Sequence, residues 1–170
     1  MFLQGVLPAV DYGTQVWGYS HEEVRNLQTF YLAATSPPGK GKSRSLSLLL
    51  FDDVAWRPAV APIVAFAILV WQAITDPVAA VANLATLYQW FSAAKKKPPP
   101  RHWGDVCGPF SAMDLSLRRI QWQHISFAVF RDQNGIEHNI SKIGPKMITS
   151  LLRGAWRHRL GKIAAAQVAS

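Results

Sequence analysis

Apolar residues recur every three to four positions over most of this chain and switch to strict alternation in one short stretch. Val24, Leu27, Tyr31 and Leu32 make one stripe, so the spacing predicts a helix over 21–34. It opens on Ser20-His21-Glu22-Glu23, a capping box in which the serine hydroxyl and the glutamate three residues on satisfy each other's backbone N–H groups. Thr35 to Lys42 reads as a loop because of its prolines and glycines. Its Gly39-Lys40-Gly41-Lys42 lacks the spacing of a phosphate-binding loop, and no strand precedes it. Ser45 to Phe51 is a short apolar helix, and Arg57 to Thr75 a longer one. Asp76-Pro77 ends the latter, with Asp76 placed to cap a further helix over 77–93.

Lys95-Lys96-Lys97-Pro98-Pro99-Pro100-Arg101 breaks the pattern. Three prolines favour extended backbone, and three adjacent lysines repel and stay hydrated. Beyond it, 109–121 is helical with Pro109 in the first turn. His124 to Phe130 alternates, which places Ile125, Phe127 and Val129 on one face of a strand. Asn134-Gly135 suits a type I′ hairpin turn, with Ile136, His138 and Ile140 on the return strand. Pro145 opens a helix to about Leu160. Its apolar face is Ile148, Leu151, Leu152, Ala155 and Trp156, and its basic face Lys146, Arg153 and Arg157. The small-residue tail 164–170 is expected to fray.

The expected architecture is therefore mainly α: a helical bundle, a small β-hairpin and a C-terminal amphipathic helix. It divides into a helical subdomain over 1–94, a basic proline-rich linker over 95–108 and a helix–hairpin–helix subdomain over 109–163.

Composition sharpens this. In 170 residues, 49% hydrophobic content and seven tryptophans argue against disorder. The single Cys107 excludes an internal disulfide and fits a reducing, intracellular compartment, cytoplasmic or nuclear. The net charge of +8 is lopsided. Up to residue 94, five basic side chains face six acidic ones; beyond it, thirteen face four. Such asymmetry points to nucleic acid or an anionic membrane surface. Between Arg57 and Lys95 the only charge is Asp76, so the run from Pro58 to Thr75 reaches the lower edge of a membrane-spanning length. Its alanine-rich make-up favours a buried helical hairpin over 58–93, with membrane insertion as the alternative.

The N-terminal stretch already reads as packed interior. Phe2, Val6, Val10, Val16 and Trp17 are spaced along one helix face, which implies a piece of something longer. Leu7-Pro8, then Tyr12-Gly13, then Trp17 resemble the segment after the palm of reverse transcriptases from non-LTR (LINE-type) retrotransposons. Asp53-Val54-Ala55-Trp56 with Ala61-Pro62 and Val70-Trp71 resembles a helix pair further along such elements. Trp103, Cys107-Gly108-Pro109, Arg119-Ile120-Gln121-Trp122 and Asp132-Gln133-Asn134-Gly135 resemble the next block. The resemblance implies a thumb-and-connection region, with the missing palm domain of the parent polyprotein as its partner.

Catalytic chemistry is not expected. A polymerase needs two or three carboxylates around Mg²⁺. Leu50-Phe51-Asp52-Asp53 comes near an aromatic-x-Asp-Asp turn, but the aromatic is one residue late and the context helical. Asp52 and Asp53 read instead as a helix end and the cap of the next helix. Cys107 beside Gly108-Pro109 reads as a small buried residue. The five histidines have no metal-ligand spacing, so neither metal nor cofactor is expected, and His124 and His138 read as a solvent-facing cross-strand pair. Binding remains. Lys95, Lys96, Lys97, Arg101, Arg118, Arg119, Arg153, Arg157, Arg159 and Lys162 form a candidate phosphate-facing set, interleaved with Trp103, Trp122 and Trp156. The expected function is non-catalytic holding of template–primer duplex, RNA–DNA or RNA, through backbone contacts. The alternatives are a membrane-associated hairpin protein and a retroelement remnant without function.

Overall fold

The computed structural model describes residues 13–35, 43–51 and 53–169. In chain order it contains α1 (Thr14–Trp17), α2 (His21–Thr35), α3 (Arg44–Phe51), α4 (Trp56–Thr75), α5 (Leu84–Lys95), a 3-10 turn (Trp103–Asp105) and α6 (Pro109–Arg119). Then follow β1 (Gln123–Ser126), β2 (Val129–Arg131), β3 (Glu137–Asn139) and α7 (Pro145–Val168). The fold is mainly α, with a small antiparallel sheet before a C-terminal amphipathic helix.

Helix α4 is the axis. It buries Ala59, Val60, Ile63, Phe66, Ala67, Val70 and Ala73, and α1, α5, α6 and α7 all pack on it. The repeated alanines leave room for close helix approach, while Phe66 fills the far end of the core. Its ring meets Phe110 and Phe127 edge-on, with centroids 5.6 Å away in each case. The same core takes Val24 and Leu27 from α2, Leu48 from α3, Met113 and Leu117 from α6, and Ile148, Leu152 and Trp156 from α7. One cluster of buried side chains thus draws on residues from both sides of the 95–108 stretch. Helix α4 is also long and apolar enough to cross a membrane by length and composition, and half of it is buried inside this fold.

Local signals work where burial backs them. The capping box forms at α2: Ser20 N–H donates to Glu23 Oε2 at 2.7 Å, and Glu23 N–H to Ser20 Oγ at 3.2 Å. The helix expected over 77–93 does not begin at residue 77. Asp76 caps only a turn, accepting the Ala79 N–H at 3.2 Å. Asn83 is the true N-cap, accepting from Thr86 N–H at 2.9 Å. Val78 and Val81 are 96% and 82% exposed, so a helix through them would bury nothing in return for its ordering entropy.

The β region departs most from expectation. The alternating run is broken at Phe127-Ala128 into β1 and β2, and with β3 it forms a three-stranded sheet in the order β1-β2-β3. His124 pairs with Phe130, and Phe130 with His138, so the two histidines flank Phe130 in one row. That row faces inward. Phe130 is fully buried and the His124 side chain 3% exposed, whereas Ile125 is 42% exposed. The histidines are therefore not a solvent-facing pair, and of the Ile125, Phe127 and Val129 set Ile125 is exposed while Phe127, at the break between β1 and β2, packs against the core. The β2–β3 turn spans 132–136, with positive φ at Gly135 alone, rather than a two-residue type I′ turn. Asp132 Oδ1 organises it by accepting the N–H groups of Asn134 and Ile136 at 2.8 and 3.0 Å.

Helix α7 runs past Leu160 to Val168, and Ala164 is buried, so the expected frayed tail is helical through most of its length. Of the N-terminal stripe, Phe2, Val6 and Val10 lie outside the described residues. Val16 and Trp17 are 42% and 59% exposed on the short α1.

Candidate nucleic-acid interface

The ten predicted cationic residues separate into unlike environments. Arg153 and Arg157 stand exposed on α7, one turn apart. Arg153 reaches Trp56 at the start of α4, its guanidinium carbon 5.8 Å from the ring centroid. Arg57 lies at the same distance from the same ring. Arg157 lines the neighbouring crevice against Trp56 and Trp156. The Trp56 ring, partly buried against the core, thus carries two arginines, with a third beside the adjoining crevice, and gathers positive charge at one place. Sequence reading missed Trp56 and Arg57 because Arg57 belongs to the half with no excess charge, and only folding brings α4 against α7.

Lys95 ends α5 and Lys96 and Lys97 follow it, all three on the exposed surface, with Arg101 and Arg118 also exposed. Lys95 is partly committed: its ammonium contacts both oxygens of Asp114 at 3.1 Å and lies 5.6 Å from the Phe91 ring centroid. Burial of Asp114 opposes its ionisation, but His124 and Lys95 outweigh this and hold the carboxyl below its usual range. The His124 Nδ1 to Asp114 Oδ1 distance is 3.8 Å, an ion-pair separation rather than a hydrogen bond. Neither Lys96 nor Lys97 forms an ion pair with a described residue.

Arg119, expected at the surface, is buried, whereas Arg159 is only partly withdrawn from it. Arg119 is 6% exposed and cannot face a phosphate backbone. Its Nη2 donates to the Tyr19 carbonyl, and its guanidinium stacks on Trp103 with 4.6 Å to the centroid. Burial, and then the charge of Arg159, pulls its pKa down to about 10, with Glu23 acting the other way. Arg159 is half-buried and lies 5.2 Å from the Trp156 ring centroid. Burial likewise lowers its pKa. His21 shares this region and is held below its usual value by burial, then by Arg119 and Arg159. Arg119 therefore belongs to the interior, and Arg159 borders it. Lys162 extends outward and donates to Gln121 Oε1 at 3.4 Å.

The tryptophans sort the same way. Trp122 and Trp156 are 2% and 1% exposed and are not available to stack on a base. Trp122 instead donates to Gln133 Oε1 at 2.6 Å and stacks on His138, with centroids 5.4 Å apart. Cys107 is exposed rather than buried, and it lines a cleft.

That cleft, of about 600 Å³, lies between the end of α5, the Pro98–Pro100 strap and the start of α6. Trp90, Pro98, Pro99 and Phe110 make its walls, and Lys95, Lys97, Asp105 and Asp114 its polar positions.

Asp53 belongs to the interior too. It is 3% exposed and accepts hydrogen bonds from Gln28 Nε2 at 2.5 Å, Trp156 Nε1 at 2.8 Å and Ala55 N–H at 3.0 Å. Burial raises its pKa, against the opposing effect of these donors. The N-cap of α4 is Ala55, so Asp53 pins the entry to that helix from two residues before it. Asp52 lies outside the described residues. Among the described residues, no three His, Cys, Asp or Glu side chains converge in a way that could hold a metal ion.

Comparison with known proteins returns no match: no family model, no curated protein and no solved structure resembles the chain at a significant level.

Proposed function

We propose that this chain holds a nucleic-acid duplex through its sugar–phosphate backbone and performs no chemistry on it. In the frame of the resemblance stated above, it is a thumb-and-connection segment of a retrotransposon reverse transcriptase. The observation that carries the reading is the meeting of Arg57 and Arg153 at Trp56, with Arg157 beside them. Like charges gathered at one ring repel one another, and a polyanion relieves that repulsion while releasing its own counterions. Lys96, Lys97 and Arg118 supply further exposed cations.

The test is binding of an RNA–DNA hybrid across a salt series. Affinity is expected to fall steeply as salt rises, with a slope of log K on log salt of about −3.5 to −5.5 for about four to six phosphate contacts. Absent or salt-insensitive binding overturns the reading.

A second reading has its own observation. Val78 and Val81 stand almost fully exposed on the turn between α4 and α5, as an apolar tip suited to lipid would. Carbonate extraction of membranes from expressing cells separates the two readings, because retention of the chain in the membrane pellet favours insertion.

A further inference from the structure

We propose that the cleft between α5 and α6 seats an unpaired nucleobase of the bound strand, with the adjoining phosphate on Lys97. This rests on the duplex-holding reading and extends it from paired to unpaired nucleotides. The chemistry of the lining leads there. Trp90 is 51% exposed at the mouth, and Pro98, Pro99 and Phe110 give flat apolar walls. These surfaces suit a planar ring and have little to offer a flexible chain. The polar positions carry both signs. Asp114, whose carboxyl His124 and Lys95 hold below its usual range against the effect of burial, is an acceptor only. Asp105 takes the Arg101 and His102 N–H groups on Oδ2, and no described residue partners its Oδ1. Lys97 adds a cation without an acidic partner among the described residues. A ligand that matches this set has a flat ring, amino hydrogens to donate and one negative charge close by. A cytidine or adenosine nucleotide has all three. A lipid tail would leave the carboxylates unmatched. The volume, about 600 Å³, is ample for one nucleotide.

A second cavity shares Lys95, Pro99 and Asp114 with the cleft and reaches Arg118 and Gln123. The Lys95–Asp114 pair and Pro99 therefore form a partition, and a strand leaving the cleft meets Arg118 on the other side.

Cys107 makes the proposal measurable, because it is the only cysteine in the chain and it lines the cleft. The intact chain is titrated with a blunt RNA–DNA hybrid and with the same hybrid carrying a short single-stranded cytidine extension, and alkylation of Cys107 is timed in each complex. The extension is expected to tighten binding roughly tenfold, the scale of one stacked base, and to slow alkylation. Trp90→Ala removes that gain, and because Trp90 stands outside the core, circular dichroism is expected to show the fold intact. Lys97→Glu removes the gain as well. An extension that neither tightens binding nor protects Cys107, on a chain that binds the blunt hybrid, overturns this proposal and leaves duplex holding in place. If the blunt hybrid fails to bind while a cytidine strand still protects Cys107, the duplex reading falls and the cleft assignment stands.

Discussion

Trp156 Nε1 donates a 2.8 Å hydrogen bond to Asp53 Oδ2, joining two buried side chains 103 positions apart in sequence. The contact ties the start of α4 to the middle of α7, and Gln28 of α2 adds a second donor to the same oxygen. One carboxylate thus links α2, the entry to α4 and α7.

Removing that carboxylate strands its donors. Asp53→Ala is expected to destabilise the fold by about 3 kcal/mol, since at least two buried N–H groups lose their acceptor. Asp53→Asn keeps an acceptor and is expected to cost less. The pH dependence has a definite sign. Burial raises the Asp53 pKa above 3.8, so stability tied to its proton is present in full below 3.8 and is lost as pH rises through the folded-state value. Asp53→Asn has no such loss, and its stability relative to the parent climbs across that window. Urea denaturation below, within and above the window checks this, and a constant difference between the two proteins would refute it.

Gly18 is held by two constraints at once. Its φ is +66°, and a Cβ built there would lie 2.7 Å from Trp103 Cζ3. Gly18→Ala is expected to cost about 2–4 kcal/mol through backbone strain and displacement of the ring. Displacing Trp103 also uncovers Arg119, which stacks on it. Thermal melts of Gly18→Ala and Trp103→Ala measure both effects. A melting temperature unchanged by Gly18→Ala would show that the Gly18–Trp103 joint is loose.

The Asp132 turn responds to acid in the opposite sense to Asp53. Burial opposes its ionisation, but His138 and the N–H groups of Ile136 and Asn134 outweigh burial and hold its pKa below 3.8. Its contribution is present above 3.8 and is lost as pH falls through the lowered folded-state value. Asp132→Ala is expected to destabilise by about 2 kcal/mol and to flatten that acid limb. Hydrogen exchange at Gly135 N–H, which donates to the Asp132 carbonyl, reports the turn directly.

The arginines should divide by environment rather than by charge. Arg57→Ala and Arg153→Ala are each expected to reduce the salt slope of hybrid binding by about one while leaving stability within about 0.5 kcal/mol. Arg119→Ala is expected to leave the slope as it is and to lower stability by about 2 kcal/mol, because it loses the Trp103 stack and the bond to the Tyr19 carbonyl. Equal effects of all three on binding would contradict this assignment.

Much of the helical framework was legible in the sequence because its signals are short-ranged. The Ser20–Glu23 box, the stripe through Val24, Leu27 and Tyr31, and Pro109 and Pro145 in first turns act within a few residues. The candidate site was only half legible. Exposed Lys96, Lys97, Arg118, Arg153 and Arg157 followed from composition and helical spacing, but nothing local tells Arg118 from Arg119. They are neighbours on one helix, and only the position of Trp103 and Tyr19 decides which turns inward.

What the chain determined alone is where most of the helices begin, though not α5, which stripes are apolar, and that its excess positive charge falls after residue 94. What required tertiary structure is the inner face of the sheet, the burial of Asp53, Arg119 and Trp156, and the meeting of Arg57 with Arg153 at Trp56. The physical reason is range. Backbone hydrogen bonds and caps are settled by neighbours a few positions away, whereas desolvation and ion pairing depend on which distant surfaces the fold brings together.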